Sequence, residues 1–149
     1  MKTVKDILQN KTIKEIWSVS PKAFVYDALV LMNEKGIGAV LVMDEKEKIA
    51  GIFSERDYAR KIIIKGKSSK ETKVEEVMTP ASKMYTVKPD SPLEECMALA
   101  TEKHIRHLPV FEQGKFIGLI STGDIVKILI SEKQDLINQL SDYIAGIYT

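Results

Sequence analysis

Hydrophobic and polar positions in the first half of the chain follow two spacings in turn. Apolar residues within 25–32 stand three or four positions apart, which predicts one buried face of a helix. The apolar runs AVLVMD (39–44) and KIAGIFS (48–54) follow, joined by a turn of hairpin length, and predict two buried strands. Helical spacing returns over 58–63, and a short extended segment at Val19 precedes the set. The first half therefore predicts the order strand–helix–strand–strand–helix.

The second half repeats this order of elements. An extended segment at Val87 leads to helical spacing over 93–100 and then to the apolar runs HLPVFE (107–112) and KFIGLIS (115–121). A last stretch of helical spacing covers 125–130. The predicted fold class is accordingly α+β, with one β-α-β-β-α unit in each half.

Three residues predict where the first long helix of the second half begins. Ser91 is a good N-cap, Pro92 suits the first helical position, and Glu94 completes a capping box. We therefore expect the Ser91 hydroxyl to accept a hydrogen bond from the first turn of this helix.

The two halves also match residue by residue. A shift of 68 places VSPKAFVYDALVLMNEKGIGAVLV (19–42) over VKPDSPLEECMALATEKHIRHLPV (87–110), and VKDIL (4–8) answers VEEVM (74–78) at a shift of 70. A repeat of about 60 residues buries too little surface alone, so we expect the two to pack sheet against sheet around a pseudo-twofold axis. The predicted organisation is a first repeat (1–66), a linker (67–73), a second repeat (74–131) and a C-terminal helix (132–149).

Each repeat ends its last strand in a similar heptamer, GIFSERD (51–57) and GLISTGD (118–124). The serine and the aspartate suit a capping box at the start of the following helix, since the carboxylate favours the positive end of the helix dipole. The alternative is a carboxylate that faces a cleft, where it would accept hydrogen bonds from the two vicinal hydroxyls of a ribose. The two interpretations are compatible and both stay open.

This repeated unit resembles the cystathionine β-synthase (CBS) domain, and the pair resembles a Bateman module. The resemblance covers residues 1 to about 131, and the motifs SERDYARKI, MT, RHLPV and GDIVK resemble those of stand-alone two-repeat CBS proteins. It implies an adenosine-type ligand (AMP, ADP, ATP, S-adenosylmethionine or NAD(H)) in clefts between the repeats. It also implies flat homodimers formed through the long helices.

The resemblance further assigns roles to particular residues. The aspartates Asp57 and Asp124 would hold the ribose, and the hydroxyls of Ser54 and Ser121 would face the sugar or the phosphate. The adenine would meet backbone and apolar atoms at the start of the second repeat. The residues implied there are Thr86 and Val87, with Thr122 as a near neighbour of the ligand.

The two repeats differ in the positive charge they offer a phosphate. Arg106 and His107 stand where the first repeat has glycine and alanine, and a guanidinium there would engage a phosphate bidentately. The alternatives are a solvated charge for Arg106 and a half-buried strand residue for His107. In the first repeat Arg56 and Arg60 lie four apart, either turned to the same phosphate or to solvent. We expect one good site centred on Asp124 and a weaker or empty one near Asp57.

Composition excludes some classes of partner. The chain has 149 residues, 44% of them hydrophobic and 29% charged, and a formal net charge of +1. This near-neutral charge gives no reason to expect a nucleic acid or an acidic membrane as a partner. The single cysteine, Cys96, makes no internal disulfide and suits a reducing compartment. With no signal-peptide pattern and no long apolar run, the expected location is the cytoplasm.

No catalytic or metal-binding constellation stands out. GIGAV (36–40) lacks the third glycine of a dinucleotide fingerprint, and no Walker motif is present. The two histidines and the distant cysteine make a poor metal set, so no metal is expected. Cys96 is interpreted as a packed side chain and Trp17 as a core or interface residue. We therefore expect no enzyme activity and no catalytic residue.

The tail SEKQDLINQLSDYIAGIYT (131–149) predicts an amphipathic helix. Leu136, Leu140, Tyr143 and Ile147 fall on one stripe, which either pairs with a second copy of the chain or docks on its own chain. The leading hypothesis is a homodimeric regulatory sensor that binds an adenine nucleotide and passes its occupancy to another protein. The alternatives are a ligand-free oligomerisation or docking module and, third, a nucleotide-processing enzyme.

Overall fold

The computed structural model of the chain describes residues 1–10 and 16–147. Its α-helices are α1 (Val4–Asn10), α2 (Val25–Lys35), α3 (Glu55–Asp57), α4 (Val74–Val77), α5 (Leu93–Lys103) and α6 (Thr122–Ile147). Helix α3 continues as a π-helix (Tyr58–Ile63), and a 3-10 turn covers Ala81–Lys83. The strands are β1 (Ser18–Val19), β2 (Ala39–Met43), β3 (Ile49–Ser54), β4 (Thr79–Pro80), β5 (His107–Glu112) and β6 (Lys115–Ser121). The predicted helices and paired strands are therefore present in both halves, whereas the predicted strand at Val87 is a single bridge.

These elements form two compact units whose bounds differ from the repeats. The Asp57 unit is Glu15–Tyr85, and the Asp124 unit is Met1–Lys14 together with Thr86–Thr149. Helix α1, which opens the first repeat, therefore belongs with the body of the second repeat. Helix α4, which opens the second repeat, belongs with the body of the first. The repeats thus exchange their leading helices, so the predicted boundary at residues 67–73 separates the repeats but not the folded units.

Burial explains this exchange, because neither leading helix is long enough to stand alone. Val4 and Ile7 of α1 are buried in one core cluster with Leu93 and Ile120. The α1 backbone is held there by hydrogen bonds from the Val4 N–H to the Ser91 carbonyl (3.0 Å) and from the Lys5 N–H to the Pro89 carbonyl (2.9 Å). A helix of seven residues is marginal in water, so this burial stabilises it.

The Asp57 unit contains a four-stranded sheet in the order β1-β2-β3-β4. Strand β1 runs parallel to β2, and β2 pairs with β3 antiparallel, with Ala39 opposite Ser54. Residues Ala39–Val42 are all buried, as expected for an apolar strand in the middle of a sheet. Helix α4 packs into the same core, where Val74 and Val77 are buried with Phe53.

The Asp124 unit contains the antiparallel pair β5–β6, with His107 opposite Ser121. Val87 forms a parallel bridge to Val110, donating to the Pro109 carbonyl (3.0 Å) and accepting from the Phe111 N–H (2.9 Å). The short segment at Val87 therefore lies beside β5, as β1 lies beside β2 in the other unit.

The glycine that opens each heptamer lies against the exchanged helix or against the residues that directly follow it. A Cβ on Gly118 would come within 2.8 Å of Leu8 Cδ2, and one on Gly51 would collide with the Thr79 carbonyl oxygen and lie 2.8 Å from Met78 Sδ. Leu8 and Met78 are equivalent residues, the last of VKDIL and VEEVM. Glycine at these positions thus permits the close approach of the exchanged segment.

The predicted cap at Ser91 is wrong. Helix α5 begins at Leu93, Pro92 holds an extended conformation, and the Ser91 hydroxyl accepts from the Lys88 N–H instead (3.0 Å). The Leu93 N–H donates to the Lys2 carbonyl (3.2 Å). The backbone before α1 therefore supplies an acceptor at the start of α5, with Ser91 used in the preceding turn.

The predicted C-terminal helix is not separate from the helix before it. Helix α6 runs without interruption from Thr122 to Ile147, which at 1.5 Å per residue makes it about 39 Å long. Side chains 132–146 are all exposed, and those of Leu136, Leu140 and Tyr143 are 54–69% accessible. The side chain of Ile147, the fourth predicted member of the stripe, lies outside the described residues. No helix in 1–10 or 16–147 is both long and apolar enough to cross a bilayer.

Cys96 and Trp17 have different environments. Cys96 is 1% exposed within the core of the Asp124 unit, and this burial raises the pKa of its thiol to about 11. The prediction of a packed cysteine is confirmed, and its thiol stays protonated near neutral pH. Trp17 is half-buried rather than in the core, with Lys35 Nζ 4.2 Å from its ring centroid.

Candidate functional site

The Asp124 unit brings two predicted segments to one end of the β5–β6 pair and a third to the other edge of β5. His107 begins β5 opposite Ser121, the last residue of β6. The Thr122 N–H donates to the Arg106 carbonyl (2.8 Å), which joins the start of α6 to the residue before β5. Thr86 precedes the Val87 bridge and so lies toward the His107 end of β5. Ser121 and Thr122 therefore lie next to the backbone of Arg106 and His107, whereas Thr86 and Val87 lie along the other edge of β5 in the same folded unit.

The predicted capping box is present in both heptamers. In the Asp124 unit, the Asp124 N–H donates to Ser121 Oγ (3.1 Å), and the Ser121 N–H donates to Asp124 Oδ2 (2.8 Å). In the Asp57 unit, the Asp57 N–H donates to Ser54 Oγ (3.3 Å), and the Ser54 N–H donates to Asp57 Oδ2 (3.0 Å). The capping interpretation is thus confirmed for Asp57 and Asp124.

A third aspartate, at the start of α1, makes the carboxylate half of this box, so such a hydrogen bond is not specific to the heptamers. At the start of α1 the Thr3 N–H donates to Asp6 Oδ2 (2.8 Å), and this hydrogen bond lowers the pKa of the Asp6 carboxyl below its usual value. The sequence TVKD (3–6) carries the signal, which the sequence analysis missed. Since Thr3 and Asp6 lie outside both heptamers, the case for a ligand must rest on the surroundings of Asp124.

Those surroundings offer exposed donors beside a covered apolar residue. The side chains of Arg106 and Thr86 are exposed, whereas those of His107 and Thr122 are half-buried. Val87 is 7% exposed and contributes its backbone to the edge of β5. The Arg106 side chain is thus exposed while the carbonyl of the same residue accepts from the Thr122 N–H at the start of α6.

In the Asp57 unit the equivalent carboxylate is engaged by a lysine. Asp57 Oδ1 lies 3.2 Å from Lys61 Nζ, and Lys61 also donates to the Val77 carbonyl (2.8 Å). Arg56 is half-buried, and Arg60 is exposed on the π-helix. Lys61 was not predicted from the sequence, although it follows Asp57 by four residues, the spacing at which helical side chains of opposite charge pair.

A groove elsewhere in the Asp124 unit contains none of the predicted site residues. It has a volume of about 490 Å³ and is lined by residues of α6, among them Ile128, Leu129 and Leu136, together with Lys2, Asn10 and Glu94. Among the described residues, no three His, Cys, Asp or Glu side chains come together as a metal site would require. Asp124 itself lies in the first turn of α6, next to the end of β6 and the start of β5.

Comparison with known proteins identifies the fold. The family model described as "CBS domain" matches residues 4–64 and 74–131. The chain belongs to the CBS domain family. This confirms the resemblance drawn from the heptamers and the predicted fold class of tandem CBS units with a long C-terminal helix.

Several known CBS proteins are similar over nearly the whole chain. The mitochondrial CBS domain-containing protein CBSX3 of Arabidopsis thaliana is 38% identical over 152 residues, covering 98% of this chain and 73% of the relative. A solved CBS-domain protein from Burkholderia ambifaria is 53% identical with a TM-score of 0.82, covering 87% of this chain and 95% of that one. The solved CBS domain pair of protein MJ0100 contains 5′-methylthioadenosine and S-adenosyl-L-methionine. It is 22% identical with a TM-score of 0.74, covers 89% of this chain and 98% of its own, and at that identity shows the shared fold only.

Proposed function

We propose that this CBS pair is a non-catalytic regulatory module that binds an adenine nucleotide, with AMP as the favoured ligand, at Asp124. The observation that carries the proposal is that Ser121 and Asp124, which share a capping box, lie next to the backbone of Arg106 and the start of β5. These residues supply an acceptor, a hydroxyl and a cation within one unit. A nucleoside monophosphate presents the complementary set of sugar hydroxyls and an anionic phosphate.

Each residue has a role that follows from its chemistry. The Asp124 carboxylate accepts from the ribose hydroxyls, and its use in the capping box does not prevent this, because a carboxylate has about four acceptor positions. The hydroxyls of Ser121 and Thr122 face the sugar and the phosphate. Arg106 binds the phosphate, with His107 beside it, and the backbone at Thr86–Val87 lies against the adenine.

The ligands of MJ0100 support an adenosine-type ligand, because 5′-methylthioadenosine and S-adenosyl-L-methionine both contain an adenosine group. The exposed Arg106 favours a ligand that adds a phosphate to this group. ADP, ATP and NAD(H) share the AMP portion and are therefore the competitors to be compared with it. The buried, unpaired Cys96 fits the reducing interior of the cytoplasm as the place where the protein acts.

Thermal unfolding with AMP, ADP, ATP, NAD(H) and S-adenosylmethionine tests this proposal. A ligand at one hundred times its Kd raises the free energy of unfolding by about 2.7 kcal/mol. We expect AMP to give the largest shift at equal concentration. We expect Asp124→Asn to weaken its binding by about 10- to 100-fold, since hydrogen bonds to a charged group contribute roughly 1.5–3 kcal/mol.

The matched control is Asp6→Asn, which alters the equivalent interaction at α1 and leaves the candidate site intact. It should change stability without changing AMP affinity. Absence of a thermal shift with every nucleotide, or AMP affinity that survives Asp124→Asn, would contradict the proposed site.

A second candidate function, self-association without a ligand, is favoured by the exposed stripe of α6 together with the isoleucines beside it. Ile130, Ile137 and Ile144 are seven residues apart and 54–63% exposed, and Leu140 lies between the last two. A seven-residue repeat of exposed apolar side chains is typical of helices that pair side by side. We propose that two copies of the chain form a homodimer through this stripe, and that a downstream protein recognises the dimer.

We expect Leu140→Glu to convert the dimer to a monomer in sedimentation equilibrium, because it places a charge within the paired stripe. Asn138→Glu changes an exposed residue of α6 outside the apolar row and should leave the dimer intact. A dimer that withstands Leu140→Glu would show that association uses another surface.

A further inference from the structure

Lys61 joins two parts of the Asp57 unit that come from different repeats. Its ammonium lies 3.2 Å from Asp57 Oδ1 and donates to the Val77 carbonyl at 2.8 Å. Val77 is the last residue of α4, the exchanged helix, and the last carbonyls of a helix lack partners within it. The lysine is therefore held from both sides, and the second contact keeps it beside the carboxylate.

Both oxygens of the Asp57 carboxylate are consequently occupied. Oδ2 accepts from the Ser54 N–H (3.0 Å) and the Ser54 hydroxyl (3.2 Å), while Oδ1 faces Lys61. The Asp57 side chain is only 14% exposed, and the lysine side chain is 39% exposed. An incoming sugar would have to displace an anchored ammonium from a carboxylate with little remaining open surface.

The position equivalent to Lys61 in the other repeat is Ile128, four residues after Asp124. An isoleucine has no hydrogen-bond donor, and Ile128 packs against the core of the Asp124 unit. At this position the first repeat therefore has a side chain that can pair with a carboxylate, and the second repeat does not. Both capping boxes are formed, but the backbone after them differs as well, since Lys61 lies in a π-helix and Ile128 in the α-helix α6.

We propose that Lys61 closes the Asp57 carboxylate to sugar hydroxyls, so that the chain binds one nucleotide, at Asp124, rather than two. This inference rests on the proposed nucleotide-binding function. Lys61 is then the residue that sets the stoichiometry of the pair, and the duplicated heptamer retains only its capping role in the first repeat.

Isothermal titration of the full chain with AMP tests the stoichiometry. We expect one AMP per chain for the native protein and two for Lys61→Met, which keeps the aliphatic stem and removes the ammonium. The double variant Lys61→Met with Asp57→Asn should again bind one AMP per chain. The control Lys65→Met removes an exposed lysine four residues further on and should bind one AMP.

Lys61→Gln is the second variant, in case loss of the Val77 contact unfolds the unit. Its amide can still donate to the Val77 carbonyl, but it carries no charge for Asp57, so two AMP molecules are again expected. Two AMP per native chain, or one per chain in a folded Lys61 variant, would overturn the role of Lys61 and leave nucleotide binding at Asp124 standing. If neither the native protein nor the Lys61 variants bind AMP, the proposed function fails as well.

Discussion

Replacing Ile7 by alanine should destabilise the Asp124 unit by about 2–5 kcal/mol, the usual cost of removing a large buried aliphatic side chain. Ile7 is 3% exposed and packs in one cluster with residues of the second repeat, although it belongs to the first. Amide hydrogen exchange measured by mass spectrometry locates the effect. Protection should fall over 107–121 and remain over 39–54.

The equivalent substitution in the second repeat should act on the opposite unit. Val77 is 2% exposed in the core that contains Phe53, so Val77→Ala should lower protection over 39–54 by about 1.5–3 kcal/mol in opening free energy. Lys5→Ala is the control, because only the backbone of this exposed residue bonds to Pro89. Loss of protection over 39–54 in Ile7→Ala would contradict the exchange of leading helices.

This exchange is the part of the fold that the sequence did not predict. Apolar spacing shows that VKDIL and VEEVM each have a face to bury, and their similarity shows that they are equivalent. Neither observation says which body covers that face, because the contacts join residues far apart in the chain. By contrast α2, β2, β3, β5 and β6 follow directly from local spacing, since each buries its own pattern within a few residues of its predicted bounds.

In the candidate site too, the features that could be predicted from the sequence are the local ones. The boxes at Ser54 and Ser121 were predicted because their hydrogen bonds span three residues. The Ser91 cap was wrong because the start of α5 is served by the Lys2 carbonyl, which lies far back in the sequence. Lys61 was missed for a similar reason: its pairing with Asp57 looks like an ordinary surface pair until the contact with Val77 is known.

The heptamer glycines offer a matched pair in which the obstructing atom differs. A Cβ on Gly51 would collide with a backbone oxygen, that of Thr79, and meet Met78 Sδ at 2.8 Å. Relief by backbone movement would disturb the β3–β4 pairing of Gly51 with Pro80 and Ile52 with Thr79. A Cβ on Gly118 would meet only Leu8 Cδ2, the end of a side chain that can change rotamer.

Gly51→Ala should therefore cost about 1–3 kcal/mol of stability, as overpacking usually does, and should lower the midpoint of urea unfolding. Gly118→Ala should cost less than about 1 kcal/mol, because Leu8 can yield and because alanine reduces the freedom of the unfolded chain by about 0.4–1 kcal/mol. A second variant combines Gly118→Ala with Leu8→Ala. It removes the clash between the new Cβ and Leu8, so that the remaining loss of stability comes from the missing Leu8 contacts. If Gly51→Ala and Gly118→Ala lower the stability equally, the close approach of the Thr79 carbonyl is not the reason why glycine is required at position 51.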